Sequence, residues 1–525
     1  MEYSLSYDSN TVLISANGKP IAGIDRKTLK QIQNPKALEN CEHFDFLFLL
    51  GAYEIEDKTF IAAATQLQSV SEVWNINKIT QFKILQLNEG NTDERLKSLL
   101  NEGLLLCPLY YSDTNDLSLS LQLQINGSPS RKRFTWNHKP LQILQKLIDN
   151  VYPFSKPIIS GFVSTFKTKD FTLLLVSRRS PIRAGTRFWM RGCDEEGNTS
   201  NYVETEQVIS LGSKLFSYVQ IRGSIPVLWS QNPDLKSRLP SIYLDTPNAC
   251  EIALKKHFQT LHEEYGTVLA ASLTNDKGYE KPLTDMYNTL GPKCTNVSYY
   301  YFDFHRECSK MRFHNINKLI EQMSTELDSL GFTYVEEGIL KQSQTGIVRT
   351  NCVDCLDRTG VLQNEVALRS LIKQLDSVGL KFECDFEFRG IWADNADEIS
   401  LQYSGTKALK TDFTRTGKRT IKGALSDGVN SVQRFYINNC CDGTRQDEYD
   451  VVTQDVKCNK YVKGNGFLMI LAMLFYMLMM YVITWIKEGR KQAKEKTRRI
   501  GTEAVNHPSF RKIKDYYEVK REEEK

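Results

Sequence analysis

The 525-residue sequence lacks the features of a disulfide-rich secreted protein. It has only 12 cysteines, and its first residues, MEYSLSYDSN, show neither the basic nor the apolar stretch of a signal peptide. Neither sign of charge is in excess, since 67 Lys and Arg stand against 63 Asp and Glu. These shortages argue against a disulfide scaffold and a nucleic-acid-binding protein, and they predict that most of the chain faces the reducing cytosol.

Motifs for several kinds of phosphate and metal chemistry are also missing. No Walker loop is present, because the segment DFTRTGKR has Asp412 where the first glycine belongs and Arg419 after the lysine. A zinc site needs four ligands, yet Cys352 and Cys355 form the one Cys-x-x-Cys pair, and no histidines are closely spaced. We therefore expect neither a metal nor another cofactor.

One long hydrophobic run is present near the end of the sequence. Residues 467–486, FLMILAMLFYMLMMYVITWI, carry no charge, and as a helix they would be about 30 Å long, the thickness of a bilayer core. The run predicts a transmembrane segment, after a juxtamembrane linker at 456–466 and before a basic, charged tail at 487–525. A buried core helix is the alternative.

The patterns before this run predict an α/β protein with two domains. In residues 1–150, short apolar runs between polar turns predict a mixed, strand-rich N-terminal subdomain that ends with a helix in NHKPLQILQKLIDNVYPF. In residues 151–455, strand-like segments such as FTLLLVS alternate with helical ones such as NINKLIEQMSTELDSLG. That alternation predicts an α/β domain.

The densest cluster of reactive side chains is RTNCVDCLDRTG, at residues 349–360. It could hold a metal or redox pair at Cys352 and Cys355, a nucleophilic cysteine in an anion-binding loop, or a polar turn without function. A cysteine followed after five residues by an arginine has the spacing of a loop in which a thiolate attacks phosphorus. GIVRT before the cluster predicts a strand and VLQNEVALRSLIKQLDSVG after it a helix, a context that favours the nucleophile.

In this interpretation Cys352 is the nucleophile and Arg358 holds the phosphate oxygens. Thr359 donates its hydroxyl to the sulfur, and a proton for the leaving group comes from one of the two loop aspartates, Asp354 or Asp357. Backbone amides of the loop complete the phosphate site, at Val353, Cys355 and Leu356.

These residues resemble the Sac-domain phosphoinositide phosphatase family, specifically its membrane-anchored endoplasmic reticulum and Golgi branch. The similarity runs from Phe171 to Arg445 and includes VSRRSPIRAGTRFWMRGCDEEGNTSNYVETEQ, VQIRGSIPVLWSQ, FDFHREC and WADNADEISLQYSGTKALKTDFTRTGKR. Two departures are Gly360, where many members have an asparagine near the helix cap, and the single hydrophobic segment, where two are usual.

The resemblance implies a cysteine-phosphatase-like catalytic domain that acts on phosphoinositide monophosphates, chiefly phosphatidylinositol 4-phosphate. It also implies an anchor in the endoplasmic reticulum or Golgi membrane, with the catalytic domain on the cytosolic side against the anionic leaflet. Asp357 is favoured as the acid, because its place before the arginine resembles that of myotubularin-type lipid phosphatases. A protein phosphatase of the same chemistry and an inactive lipid-binding tether are the alternatives.

Two sets of basic residues are further candidates for substrate contact. The first is predicted to lie in an exposed loop that contains Gly405 and Gly417 and to touch the inositol phosphate or the membrane surface: Lys407, Lys410, Arg415, Lys418 and Arg419. A solvated face is the other explanation of such a charge run. The second set could bind substrate likewise or form the outward face of a strand: Arg178, Arg179, Arg183, Arg187 and Arg191.

Overall fold

The computed structural model describes most of the region before the hydrophobic run. The described residues are 2–231, 241–309, 312–409, 411–416 and 421–454, with the backbone alone at 421, 422 and 424. The predicted linker at 456–466, the transmembrane segment at 467–486 and the tail at 487–525 lie outside them. Within these ranges, no helix is both long enough and apolar enough to cross a membrane.

A small antiparallel sheet opens the chain. Its strands are β1 Tyr3–Tyr7, β2 Thr11–Ala16, β3 Lys19–Asp25, β4 Lys30–Gln31 and β5 Glu42–Phe46. They pair in the order β4-β3-β2-β1-β5. Alternate apolar residues such as Leu5, Val12 and Ile14 face one side, where they pack with Ile143 and Leu144 of a later helix.

A second, 13-stranded sheet forms the centre of the described region. Its strands are β6 Phe48–Ile55, β7 Lys58–Ser71, β8 Ile76–Gln86, β9 Leu109–Ser112, β10 Ile159–Lys167, β11 Thr172–Arg179, β12 Val203–Leu211, β13 Lys214–Arg222, β16 Thr267–Ser272, β17 Val297–Tyr301, β18 Thr333–Glu336, β19 Ile339–Gln342 and β20 Gly346–Asn351. Two more strands pair separately, β14 Trp229–Gln231 and β15 Ile242–Leu244.

The strand order of this sheet is β17-β16-β20-β13-β12-β11-β10-β9-β8-β7-β6, with β18 beside β13 and β19. Strands β6 to β13 run antiparallel to their neighbours, whereas β17, β16, β20 and β13 are parallel. All six residues of β20 are buried, as expected of a central parallel strand covered on both faces. The carboxyl end of such a strand is a usual place for a ligand site.

Twelve α-helices lie in the described ranges. They are α1 Glu94–Leu106, α2 Leu121–Ile125, α3 His138–Leu147, α4 Pro247–Tyr265, α5 Lys281–Leu290, α6 Phe304–Glu307, α7 Asn317–Leu330, α8 Asp357–Asp376, α9 Asp385–Ser404, α10 Thr411–Thr416, α11 Ile421–Cys440 and α12 Asp442–Thr453. Helices α4 and α5 pack on one face of the parallel strands, and α7 and α8 pack on the other.

The predicted mixed α/β class is confirmed. Predicted helices are found at α3, α7 and α8, and predicted strands at β11 and β20. Because β9 pairs with β10, the large sheet continues through residue 150, and the domain boundary placed there stays a prediction. Gly360 is the fourth residue of α8, which begins at Asp357, so it lies in the first turn and is not itself the N-cap, which is Leu356.

Candidate active site

The cysteine cluster forms a tight loop between β20 and α8. Ile347, Val348 and Thr350 supply the β-branched residues that suit a buried strand. The loop then turns through Cys355, whose φ of +52° is rare for a residue other than glycine. Helix α8 starts two residues later, so its first N–H groups and the positive end of its dipole face the loop.

Cys352 lies at the base of this loop and is 2% exposed. Its sulfur accepts a hydrogen bond from the Cys355 amide at 3.1 Å, and the Thr359 hydroxyl donates to it at 3.6 Å. Hydrogen bonding by Cys355 lowers the pKa of the Cys352 thiol to about 6, with help from Arg358 and Thr359 and against the effect of burial. Cys352 is therefore mainly a thiolate at neutral pH, the form that attacks phosphorus.

Cys355 has the opposite character. Its thiol donates to the carbonyl oxygen of Gly223 and lies 3.2 Å from the carbonyl oxygen of Cys352. Burial raises the pKa of the Cys355 thiol well above its usual value. The second cysteine therefore stays protonated and shapes the loop, which favours Cys352 as the nucleophile of the pair.

Arg358 is held beside the loop by an acid that the sequence analysis did not single out. One terminal nitrogen donates to the Leu273 carbonyl at 2.9 Å and to Glu280 at 2.9 Å, and the other donates to Glu280 at 2.5 Å. Although burial lowers the pKa of Arg358, Glu280 raises it more, so the guanidinium stays charged. These contacts fix its plane, and no described contact involves its Nε–H.

Asp354 anchors the loop to residues of the β11–β12 connection. Its carboxylate accepts hydrogen bonds from Arg187 at 2.9 and 2.7 Å and from Arg191 at 2.8 Å. Burial alone would raise the pKa of Asp354, but the two arginines lower it well below its usual range. A carboxylate that is ionised so firmly orients its basic neighbours and cannot supply a proton near neutral pH.

Asp357, the favoured acid, lies at the start of α8. One carboxylate oxygen accepts a hydrogen bond from the Leu409 amide at 2.5 Å, and the other lies 3.5 Å from Arg434. Both oxygens thus face donors in this arrangement, and the role of Asp357 as general acid stays a prediction. The aspartate also ties the loop to the segment after α9.

The remaining loop residues point their side chains into the core. Val353 packs in the cluster beside α4, and Leu356 contacts Val203 and Tyr403. The Val353 carbonyl accepts a hydrogen bond from Arg191 at 3.2 Å. Buried side chains hold the loop backbone in place, and phosphate binding by its amides at Val353, Cys355 and Leu356 stays a prediction.

The first basic set is only partly described, since Lys410, Lys418 and Arg419 lie outside the described residues. Lys407 is exposed and lies 3.8 Å from Asp397, and Arg415 donates to Asp394 at 2.5 Å. The predicted exposed loop is wrong for Thr411–Thr416, which forms α10 with Phe413 packed on Phe313. Contact of this set with substrate stays a prediction.

In the second basic set, the outward-face explanation is wrong for the two arginines of β11. Arg178 is fully buried and pairs with Glu204 at 3.0 Å and Glu206 at 2.6 Å. Arg179 is equally buried and donates to the Tyr449 hydroxyl at 2.6 Å. These arginines hold the fold together, while Arg187 and Arg191 reach the catalytic loop through Asp354.

A buried thiolate in a loop that joins a parallel strand to a helix, with an arginine six positions later, defines a cysteine-dependent phosphatase. A profile of the SacI homology domain matches residues 47–309 of the chain. The chain belongs to the SacI homology, or Sac, family.

Several curated relatives are similar in sequence to this chain over more than two thirds of its length. Phosphatidylinositol-3-phosphatase SAC1 of Drosophila melanogaster is 42% identical over 390 residues, which cover 68% of this chain and 65% of that protein. Phosphatidylinositol-3-phosphatase SAC1 of Saccharomyces cerevisiae is 37% identical over 436 residues, 73% of this chain and 68% of that protein. Phosphoinositide phosphatase SAC8 of Arabidopsis thaliana is 36% identical over 440 residues, 77% of this chain and 74% of that protein.

Proposed function

We propose that the protein hydrolyses phosphatidylinositol monophosphates, chiefly phosphatidylinositol 4-phosphate, through a phosphocysteine intermediate. The observation that carries the proposal is the thiol of Cys352, whose pKa of about 6 makes it a thiolate beside the fixed guanidinium of Arg358. The names of the relatives, phosphatidylinositol-3-phosphatase and phosphoinositide phosphatase, support a phosphoinositide substrate. Preference for the 4-phosphate is part of the proposal.

The reaction has two steps at one phosphorus atom. The Cys352 thiolate forms a sulfur–phosphorus bond as the bond from phosphorus to the inositol oxygen breaks, and that oxygen takes a proton from the general acid. Water then attacks the phosphocysteine, gives a proton back to the same acid, and releases phosphate and the thiolate. Arg358 and the loop amides stabilise the charge on the equatorial oxygens in both steps.

Asp357 can act as the acid while it keeps the hydrogen bond that the Leu409 amide donates to it. A protonated carboxyl group has one O–H donor and retains acceptor lone pairs, so one oxygen can accept from the Leu409 amide while the other carries the proton. Lys407, in the same segment as Leu409, is exposed, and we include in the proposal that it meets the lipid headgroup.

The proposal also places the protein on the endoplasmic reticulum or Golgi membrane, with the catalytic region cytosolic. Its support is the uncharged sequence at 467–486, which is long enough for one bilayer crossing.

Phosphate release from vesicles tests the substrate class. Full-length protein is incubated with vesicles that contain phosphatidylinositol 4-phosphate, with vesicles that contain the 3-phosphate, and with phosphopeptides, and Cys352→Ser is the control. We expect turnover of both lipids, faster for the 4-phosphate, and none of the peptides. Turnover of peptides alone would refute the lipid substrate, and vesicle binding without any turnover would favour a lipid-binding tether.

A further inference from the structure

One buried arginine near the catalytic loop lacks the partners that similar arginines have. Arg222, the last residue of β13, is 1% exposed, yet its Nε and one terminal nitrogen have no hydrogen-bond partner among the described residues. Arg178, Arg191 and Arg349 each engage all three guanidinium nitrogens. A buried cation with unpaired N–H groups is unfavourable unless an anion lies nearby.

The neighbours of Arg222 place it directly beneath the loop. Gly223, the next residue, accepts the hydrogen bond from the Cys355 thiol. Gln220, on the same face of β13, donates to the carbonyl oxygen of Gln363 in α8 at 3.0 Å. In the parallel pairing with β20, Arg222 stands opposite Thr350, two positions before the nucleophile. Its side chain therefore lies between the sheet, the loop and the first turns of α8.

The groups that act on Arg222 are those of the catalytic loop. Burial lowers the pKa of Arg222, while Cys355, Cys352 and Asp357 raise it. Cys355 stays a neutral thiol, and Asp357 already faces Arg434 at 3.5 Å. The anion that remains to balance Arg222 is the Cys352 thiolate, and, in turnover, the phosphate that the thiolate attacks.

We propose that Arg222 is a positioning residue whose charge stabilises the Cys352 thiolate and the bound phosphate from the sheet side of the loop, opposite Arg358. The inference rests on the proposed cysteine phosphatase chemistry and adds a second cation to it. Other charges near the sulfur are Arg358 and Asp354, and Arg349 acts on the neighbouring Cys355. Arg222 is fully buried and two of its guanidinium nitrogens have no hydrogen-bond partner among the described residues. The anion in the loop is therefore the main negative charge that can balance the charge of Arg222.

The ionisation of Cys352 tests this role without any substrate. Iodoacetamide labelling of Cys352, followed by mass spectrometry across pH, gives the midpoint at which the thiol becomes a thiolate, and we expect this midpoint near pH 6 in the native protein. In Arg222→Met we expect this midpoint to rise by about 1 pH unit, since a nearby opposite charge shifts a pKa by roughly that much or more. Arg222→Lys retains the charge and should keep the midpoint close to the native value.

Thermal unfolding with and without millimolar inorganic phosphate supplies the second readout. Arg178→Met is the matched control, because it removes an equally buried arginine that pairs with Glu204 and Glu206 instead of the loop. Without phosphate, we expect Arg222→Met to melt at or above the native temperature and Arg178→Met to melt several degrees lower. Added phosphate should raise the melting temperature of the native protein and of Arg178→Met, and should raise that of Arg222→Met clearly less, because only Arg358 and the loop amides then remain to bind it.

The outcomes separate this inference from the proposed function. An unchanged labelling midpoint in Arg222→Met would overturn the inference, and so would a full phosphate response in that variant. A raised midpoint that Arg222→Lys restores supports it. If the native protein turned over no phosphoinositide vesicle while the midpoint still moved with Arg222, the lipid substrate would be refuted and the role of Arg222 retained.

Discussion

The thiols of Cys352 and Cys355 differ in pKa because they make different hydrogen bonds. Cys352 accepts hydrogen bonds through its sulfur, which stabilises the negative form, whereas Cys355 donates its own S–H to a carbonyl oxygen. The Cys-x5-Arg spacing predicts Cys352 as the nucleophile, since Arg358 is the sixth residue after it. It could not predict Glu280, because Glu280 meets Arg358 across 78 residues of chain and no local motif announces it.

Serine at each cysteine tests this assignment. Cys352→Ser should reduce turnover to background, because a hydroxyl at its ordinary pKa is scarcely ionised at neutral pH. Cys355→Ser should retain substantial activity, since a hydroxyl can donate the same hydrogen bond to Gly223. Phosphate release from phosphoinositide vesicles measures both, and circular dichroism checks folding. An active Cys352→Ser beside an inactive Cys355→Ser would contradict the assignment.

The acid is tested by substrates that need it to different degrees. Asp357→Asn should slow hydrolysis of the lipid by about 100- to 10,000-fold, the usual contribution of a general acid, because the inositol oxygen is a poor leaving group. An aryl phosphate such as p-nitrophenyl phosphate leaves without a proton, so its hydrolysis should fall much less. Equal losses on both substrates would assign the proton to another group.

At the scale of secondary-structure elements, the local sequence pattern was enough to predict a helix or strand that has a long apolar face. The strand β20 follows from GIVRT, and the helix α8 follows from the helical spacing of Val361, Leu368 and Leu375, of which Val361 and Leu375 are buried. The short helix α10 was missed, because six residues with few apolar side chains carry little periodic pattern. It packs beside α9, and its Phe413 meets Phe313, which lies just before α7, with ring centroids 4.9 Å apart.

Two helical glycines offer a matched test of the packing. In α1, a Cβ at Gly103 would lie 2.7 Å from the Glu448 carbonyl oxygen and from Val452 of α12, whereas a Cβ at Gly390 in α9 would meet nothing within 4 Å. Gly103→Ala should lower the free energy of unfolding by about 1–3 kcal/mol through overpacking. Gly390→Ala should raise it by about 0.5–1 kcal/mol.

Urea unfolding measures this pair of glycine variants. If Gly103→Ala were as stable as Gly390→Ala, the close approach of α1 and α12 described here would be incorrect. That contact matters for the architecture, because it joins the predicted N-terminal subdomain to the last described helix.

At the scale of the whole molecule, the order of the large sheet could not be predicted. The pairing of β13 with β20 joins Gln220 to Val348, and sequence patterns do not encode which distant strands become neighbours. The outward-face explanation failed for the arginines of β11 for the same reason, since the partners of Arg178, Glu204 and Glu206, lie on the adjacent strand β12. The partner of Arg179, Tyr449, lies in α12. The α/β class needed only the alternation of elements, so it was predicted correctly.

The proposed anchor gives a prediction about topology. Seven basic residues follow the segment at 467–486 within twenty positions and three precede it, which by charge alone would favour a cytosolic tail. A cytosolic catalytic region with a single span instead places the tail across the membrane, and no Pro or Gly interrupts the segment to form a hairpin. We expect a tag after Lys525 to resist protease in sealed microsomes, whereas digestion without detergent would contradict the single span.

The covalent intermediate is the most direct test of the whole account. Full-length protein is mixed with vesicles containing radiolabelled phosphatidylinositol 4-phosphate, denatured within milliseconds and analysed by peptide mass spectrometry. We predict one labelled phosphate per molecule, attached to the sulfur of Cys352 and absent from Cys352→Ser. Turnover of the lipid without any phosphate on Cys352, or with phosphate on a different residue, would contradict the mechanism.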